Sequence, residues 1–198
     1  MARSILLARH GTHDEVGRIL SGRSAIGLNA SGHAEAAALA ARLADEPLAE
    51  IHASPRPRTQ QTAVRIADPR GLPVVTTAAL DEIDFGSFTG RDFAELDGDA
   101  DWQLWNARRA TARCPGGETM EEVVARALGW MRGIGTSSGG GSILAVTHCD
   151  VIRGMIAFLS GAGLDRLYDL PCAPGSLARF SVDAARDGGA IRIVSLPE

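Results

Sequence analysis

Ser4-Ile5-Leu6-Leu7-Ala8-Arg9-His10-Gly11 carries a short apolar run that stops abruptly at a guanidinium and an imidazole. Such a run, bounded by a polar loop, predicts a buried strand over residues 4–8 with a loop at its carboxyl end. In an open parallel sheet, ligands bind beyond the carboxyl ends of the strands. Two other predicted strands end the same way: residues 50–54 lead through Ser54 to Arg58, and the apolar residues 142–147 lead into His148. If these strands are neighbours, two histidines and two arginines converge on one crevice.

The remaining text alternates with these strands. Asn29 or Ser31 caps a predicted helix whose Ala-rich body passes Leu39 and Leu43 and stops before Pro47. Pro55 and Pro57 mark a turn into a second helix through Thr62, Val64 and Ile66. A strand is predicted over residues 72–77, a loop over 80–90 and a weakly patterned helix over 91–109 with Trp102 and Trp105. Helical spacing resumes from Glu118 through Val123, Ala127 and Met131, and again over 151–159. Two last strands, 177–182 and 190–194, are joined by a turn around Asp187-Gly188-Gly189. The alternation predicts an α/β fold: a three-layer α/β/α sandwich with a mainly parallel central sheet and helices on both faces. No linker, repeat or low-complexity block divides residues 1–198, so one domain is expected.

Composition narrows the function. The chain has 198 residues, 45% hydrophobic and 22% charged, with Gly and Pro together making 32 of them, which suits a globular domain. All 20 basic side chains are Arg, against 24 acidic ones, for a net charge of -4. An acidic chain has no broad electrostatic grip on nucleic acid or anionic membrane, so neither is expected as a partner. Any anion must be held by a local cluster, a task that suits the planar fork of Arg. Cys114, Cys149 and Cys172 are odd in number and show neither C-x-x-C nor zinc spacing, which implies a reducing, cytoplasmic setting. The N-terminal apolar run is too short for a signal-peptide core, and no segment has the roughly 18 apolar residues of a membrane span.

Five ordered blocks carry a resemblance. Leu7-Ala8-Arg9-His10-Gly11 is similar to L-x-R-H-G, and residues 54–63 follow S-P-x-x-R-x-x-x-T-A. Leu80-Asp81-Glu82-Ile83-Asp84-Phe85-Gly86 with Gly90 follows L-x-E-x-x-x-G-x-x-x-G. Pro115-Gly116-Gly117-Glu118-Thr119 matches P-G-G-E-[ST], and Val146-Thr147-His148 through Arg153 matches V-x-H-x-x-x-[IL]-R. Together they resemble the histidine phosphatase superfamily, in its phosphoglycerate-mutase-like branch. The blocks run from the first strand to about Gly154.

The resemblance implies a phosphate pocket of Arg9, Arg58 and His148, which would supply the fixed positive and donor groups a phosphomonoester dianion needs. His10 would be the nucleophile, neutral and forming a phosphohistidine. Which ring nitrogen attacks depends on the hydrogen bond held by the other. Glu82 matches the position of the general acid, which needs a raised pKa, and later acts as base on water; Asp81 and Asp84 are its neighbouring rivals. No metal and no cofactor is required.

Three departures from the pattern bear on substrate. Where relatives read R-H-G-E-[ST]-x-W-N, this chain reads Arg9-His10-Gly11-Thr12-His13-Asp14-Glu15-Val16, so Thr12, or Ser21 and Gly22 of the next loop, would replace the missing phosphate-binding Asn. Asp150 stands where many relatives have the Asn of H-G-N, and with Asp14 and Glu15 it would disfavour polyanionic substrates. The segment between Glu82 and Pro115 is short, which favours hydrolysis over phosphoryl return.

Other residues carry weaker signals. His10, His13 and Asp14 do not form the H-E-x-x-H helix of a zinc site, and no cysteine begins C-x-x-x-x-x-R. Cys149 is expected to be a small buried residue, Trp102 and Trp105 to be packing, and Arg153 to be structural. The expected function is a metal-independent phosphomonoester hydrolase for a small molecule. A phosphoglycerate mutase and a non-catalytic phospho-ligand binder are the alternatives, and oligomeric state is not legible.

Overall fold

In the computed structural model, which describes residues 2–136, 140–185 and 189–198, six strands form one mixed sheet. They are β1 (Arg3–Arg9), β2 (Leu48–Ala53), β3 (Val74–Thr76), β4 (Ser142–Thr147), β5 (Leu177–Asp183) and β6 (Ala190–Ser195), in the order β3-β2-β4-β1-β5-β6. The four strands from β3 to β1 are parallel, while β5 runs antiparallel to β1 and β6 antiparallel to β5. The three strands whose carboxyl ends carry Ser54, His148 and Arg9-His10 are therefore consecutive across the sheet.

The apolar run explains its own burial. Along β1, Ile5 and Leu7 enter one core, whereas Leu6 and Ala8 enter the other; along β4, Ile143 and Ala145 part from Leu144 and Val146 in the same way. A strand covered on both faces has no solvent side, hence continuous hydrophobicity rather than alternation. Each fully buried Leu or Ile here contributes about 1.5–3 kcal/mol of transfer free energy.

The helices α1 (Ala30–Arg42) and α2 (Pro57–Ala67) cover one face through Leu39, Ala63 and Ile66. The other face is covered by α5 (Met120–Gly135) and α6 (Cys149–Ser160), with the short α3 (Phe93–Leu96) and α4 (Ala100–Ala107) contributing Leu96, Trp102 and Trp105 to that core. Asn29 caps α1 by accepting from Gly32 N–H, and Thr119 with Glu122 closes a capping box on α5, so that helix starts two residues after Glu118. The expected helix over 91–109 is instead two, because the Asp92 and Asp99 side chains each cap a new start. Part of the Gly-rich loop at 137–141 and the expected turn at Asp187-Gly188 lie outside the described residues.

The glycine after His10 has a steric cause. A Cβ on Gly11 would lie 2.4 Å from the Gly32 carbonyl oxygen, and one on Gly32 would lie 2.0 Å from that of Thr12. The loop after β1 thus touches the first turn of α1 backbone to backbone. We expect Gly32→Ala to destabilise the protein by about 1–3 kcal/mol. Urea unfolding checks this: an unchanged midpoint would show that the contact yields without cost.

Candidate active site

Beyond the carboxyl ends of β2, β4 and β1 lies a cavity of about 170 Å³, bordered by Arg9, His10, Arg58 and Glu82 among others. His10, only 3% exposed, is fixed by its neighbours. Its Nδ1 lies 2.7 Å from the Gly11 carbonyl oxygen, which can only accept, so Nδ1 carries the proton. Its Nε2 accepts from Arg58 Nε–H at 3.3 Å, so the lone pair is on Nε2. Burial first, then the Arg58 and Arg9 charges, hold its pKa well below the ordinary imidazole value. The ring is therefore neutral at neutral pH.

Arg58 organises the floor. From the second residue of α2, it donates through Nη1 to the Ser24 carbonyl at 3.1 Å and through Nη2 to the Gly22 carbonyl at 2.6 Å and His148 Nδ1 at 3.2 Å. His148, fully buried, then carries its proton on Nε2 and donates to Ser54 Oγ at 2.8 Å; Ser54 in turn donates to Asp81 Oδ1 at 3.0 Å. Asp81 Oδ2 meets Arg56 at 3.0 Å and Arg23 at 3.6 Å. A chain of hydrogen bonds therefore orients the second histidine. Its pKa is also lowered, by burial and then Arg58.

Arg9 holds the Cys172 carbonyl through Nη1 at 2.5 Å, while its buried Nε has no hydrogen-bond partner among the described residues. Glu82, 8% exposed, faces the same cavity. Its backbone carbonyl is pinned by Arg23 at 3.0 Å and Arg126 at 3.1 Å, and its Oε1 accepts from Ile83 N–H at 3.1 Å. Oε2 stands 3.9 Å from His148 Nδ1. Burial, and next the nearby Asp150 carboxylate, push its pKa up to about 8 against the pull of Arg58. It is a protonated acid at pH 7.

Arg9, His10, Arg58, His148 and Glu82, drawn from four segments of the chain, are thus brought together. Asp81 and Asp84 do not border the cavity, since Asp81 serves Ser54 and Asp84 accepts from Gly86 N–H at 2.9 Å and Arg23. The loop candidates divide. Ser21 and Gly22 border the cavity, the latter turning its carbonyl to Arg58. Thr12 does not: its N–H and Oγ1 donate to Glu35 of α1 at 2.6 and 2.9 Å, so both donors are occupied by a carboxylate. Of the three acids expected at the mouth, only Asp150 borders the cavity, while Asp14 is exposed and held by Asn29 at 3.0 Å.

Sequence reasoning passed over several residues here. His13 packs on His10 with ring centroids 5.4 Å apart and has its pKa lowered to about 4, by burial and then Arg58. Arg153, expected to be structural, borders the cavity, as does Tyr168. The supporting roles of Ser54, Arg23 and Arg126 depend on contacts across 44 to 94 residues of chain, which leave no local signal. Cys149 is half-buried on the cavity wall, its Sγ 3.8 Å from the Cys172 carbonyl. Trp102 and Trp105 stack on each other at 5.1 Å within the core.

These five side chains stand together at the carboxyl edge of a mainly parallel α/β sheet, with Arg9 and Arg58 beside a neutral histidine. Residues 5–193 match the family model of the histidine phosphatase superfamily (branch 1), and the chain belongs to that superfamily. It is 33% identical over 196 residues to the bifunctional protein Rv2228c of Mycobacterium tuberculosis, covering 96% of this chain but only 53% of that relative. The chain thus spans about half the length of this mycobacterial protein. It is 27% identical to phosphoserine phosphatase 1 of Hydrogenobacter thermophilus, across 92% of this chain and 88% of the relative. The solved structure of Bacillus stearothermophilus YhfR superposes with a TM-score of 0.87 at 27% identity, covering 98% and 96% of the two chains.

Proposed function

We propose that this protein is a metal-independent phosphomonoester hydrolase working through a phosphohistidine on His10. One observation carries the reading: the His10 Nε2 lone pair, with Nδ1–H committed to Gly11, shares a cavity with a protonated carboxyl on Glu82. Arg9 and Arg58 face the phosphate oxygens and neutralise charge that builds in the transition state, while His148, with its Nε2–H given to Ser54, orients the Arg58 guanidinium through Nδ1. His10 Nε2 attacks phosphorus as the P–O ester bond breaks, and Glu82 gives its proton to the departing alkoxide. The positive charge that develops on the imidazole is stabilised by the Gly11 carbonyl through Nδ1–H. Glu82, now a carboxylate, takes a proton from water as that water attacks phosphorus. The P–N bond breaks, inorganic phosphate leaves, and His10 is neutral again with Glu82 reloaded.

Arginines meet the phosphate charge, so the scheme needs no metal. Among the described residues no helix is long and apolar enough to cross a membrane, and the reading takes a small phosphomonoester as partner. We expect release of nitrophenol from p-nitrophenyl phosphate to persist in EDTA, with an acid-labile, base-stable phosphate trapped on the protein during turnover. Loss of activity with chelator would remove the metal-free scheme. Faster conversion of 3-phosphoglycerate to 2-phosphoglycerate than to free phosphate would make it a mutase, and phosphate binding without turnover a binder.

A further inference from the structure

The loop after β1 holds a donor that the protein itself does not use. His13 is 5% exposed and borders the cavity beside His10, with the two ring centroids 5.4 Å apart. Its Nδ1 accepts from the Glu15 backbone N–H at 3.3 Å, so the neutral ring carries its proton on Nε2. That Nε2–H has no hydrogen-bond acceptor among the described residues, although buried polar groups are as a rule paired. The ring is held in place by the chain on either side of it. Thr12 N–H donates to Glu35 at 2.6 Å and its carbonyl accepts from Asn29 N–H at 3.1 Å, while Asp14 accepts from the Asn29 side chain at 3.0 Å.

The other side chains of this loop are engaged or apolar. Both Thr12 donors go to Glu35, and Ser21 Oγ donates to the Ile19 carbonyl at 3.4 Å, whereas Val16 and Leu20 bring only hydrocarbon to the cavity. Building on the phosphatase reading, we infer that His13 contacts the substrate, its Nε2–H donating to a non-bridging phosphate oxygen in place of the Asn that relatives carry further along R-H-G-E-[ST]-x-W-N. The charges around the ring agree with that placement. After burial, the strongest influence on it is Arg58, and Arg9 acts in the same sense against Glu15 and Asp14, so both phosphate-facing guanidiniums lie within its field. They keep the imidazole neutral, which leaves Nδ1 free to accept from Glu15 while Nε2–H donates. A neutral donor fixed before substrate arrives adds a hydrogen bond to a dianion without placing a third cation beside Arg9 and Arg58.

The test removes the donor and then restores it. Phe keeps a ring against His10 but has no N–H, while Gln carries an amide N–H at about the reach of Nε2. His13→Phe should raise KM for p-nitrophenyl phosphate and weaken competitive inhibition by inorganic phosphate, each at least about tenfold, as expected when a hydrogen bond to a charged group is lost. His13→Gln should stay within about threefold of the unsubstituted protein on both measures. Equal losses in the two variants would make the imidazole a packing group, and unchanged phosphate inhibition in folded His13→Phe would leave the donor without a role; either result overturns the inference. A measurement on the unsubstituted protein is independent of how the variants fold. With nitrogen-labelled histidine, saturating inorganic phosphate should move the His13 Nε2–H proton resonance downfield, and an unmoved resonance while calorimetry shows phosphate bound overturns the inference as well. If the protein binds phosphate but hydrolyses no ester, the phosphatase reading falls while the resonance still decides the role of His13.

Discussion

His10→Ala should lower phosphate release from p-nitrophenyl phosphate by at least about a thousandfold and abolish the acid-labile phosphoenzyme. The size follows from the role: the nucleophile is the only group that forms a bond to phosphorus, and the remaining pocket can bind substrate but has nothing to attack with. Folding is a separate matter. The ring is buried, and its loss leaves Arg58 Nε without the Nε2 acceptor, so a modest fall in stability is expected alongside. Urea unfolding of the same sample separates the two effects. A folded His10→Ala protein that keeps a tenth or more of its activity would show that His10 is not the nucleophile.

Glu82→Gln should cost about 10²–10⁴ in kcat for alkyl phosphates, whose alkoxide cannot leave unprotonated. p-Nitrophenolate is a far better leaving group, so the first step should survive with that substrate while hydrolysis of the phosphohistidine, which needs the base, fails. The expected signature is a burst of about one nitrophenol per protein, followed by slow turnover and accumulated phosphoenzyme. A variant with no burst and unchanged steady-state rate would remove Glu82 from both steps.

The pH dependence follows with a definite sign. Burial and Asp150 raise Glu82 to about 8, so the acid form is present below that pH and lost above it. His10 is shifted down, so its neutral form persists into mildly acidic solution. Turnover of an alkyl phosphate should therefore hold a plateau through neutrality and fall as pH rises past about 8. Glu82→Gln should abolish that alkaline limb. Stability moves in the same direction, because between the ordinary carboxyl value and 8 the folded protein holds a proton that the unfolded chain has released. Stability therefore declines as pH rises through that window.

Much of the fold was legible because the signals are local. Residues 4–8 and 142–147 are apolar without alternation, which only a strand buried on both faces requires, and Ile5/Leu7 against Leu6/Ala8 show the two faces being filled. The break between α3 and α4 was not read, since Asp92 and Asp99 act as caps only once their side chains turn back to the next backbone N–H groups. Thr12 offers a hydroxyl in the loop where relatives offer an Asn to the phosphate. It faces Glu35, a partner 23 residues away that no spacing rule near His10 could suggest.

By itself, the sequence determined which chemistry-bearing side chains stand at strand ends: Arg9 and His10 after one run, His148 after another, and Arg58 at the opening of a helix. Periodicity and covalent adjacency set those positions, and both act within a few residues. Only the tertiary structure decided that β2, β4 and β1 are consecutive, and so that these groups meet. It also decided the tautomers. The proton on His10 Nδ1 is set by the Gly11 carbonyl, and the one on His148 Nε2 by Arg58 and Ser54, 90 and 94 residues away. It decided, too, that Arg153 and Asp150 face the cavity. Protonation state and direction depend on distances through space and on removal from water, which a one-dimensional text does not contain.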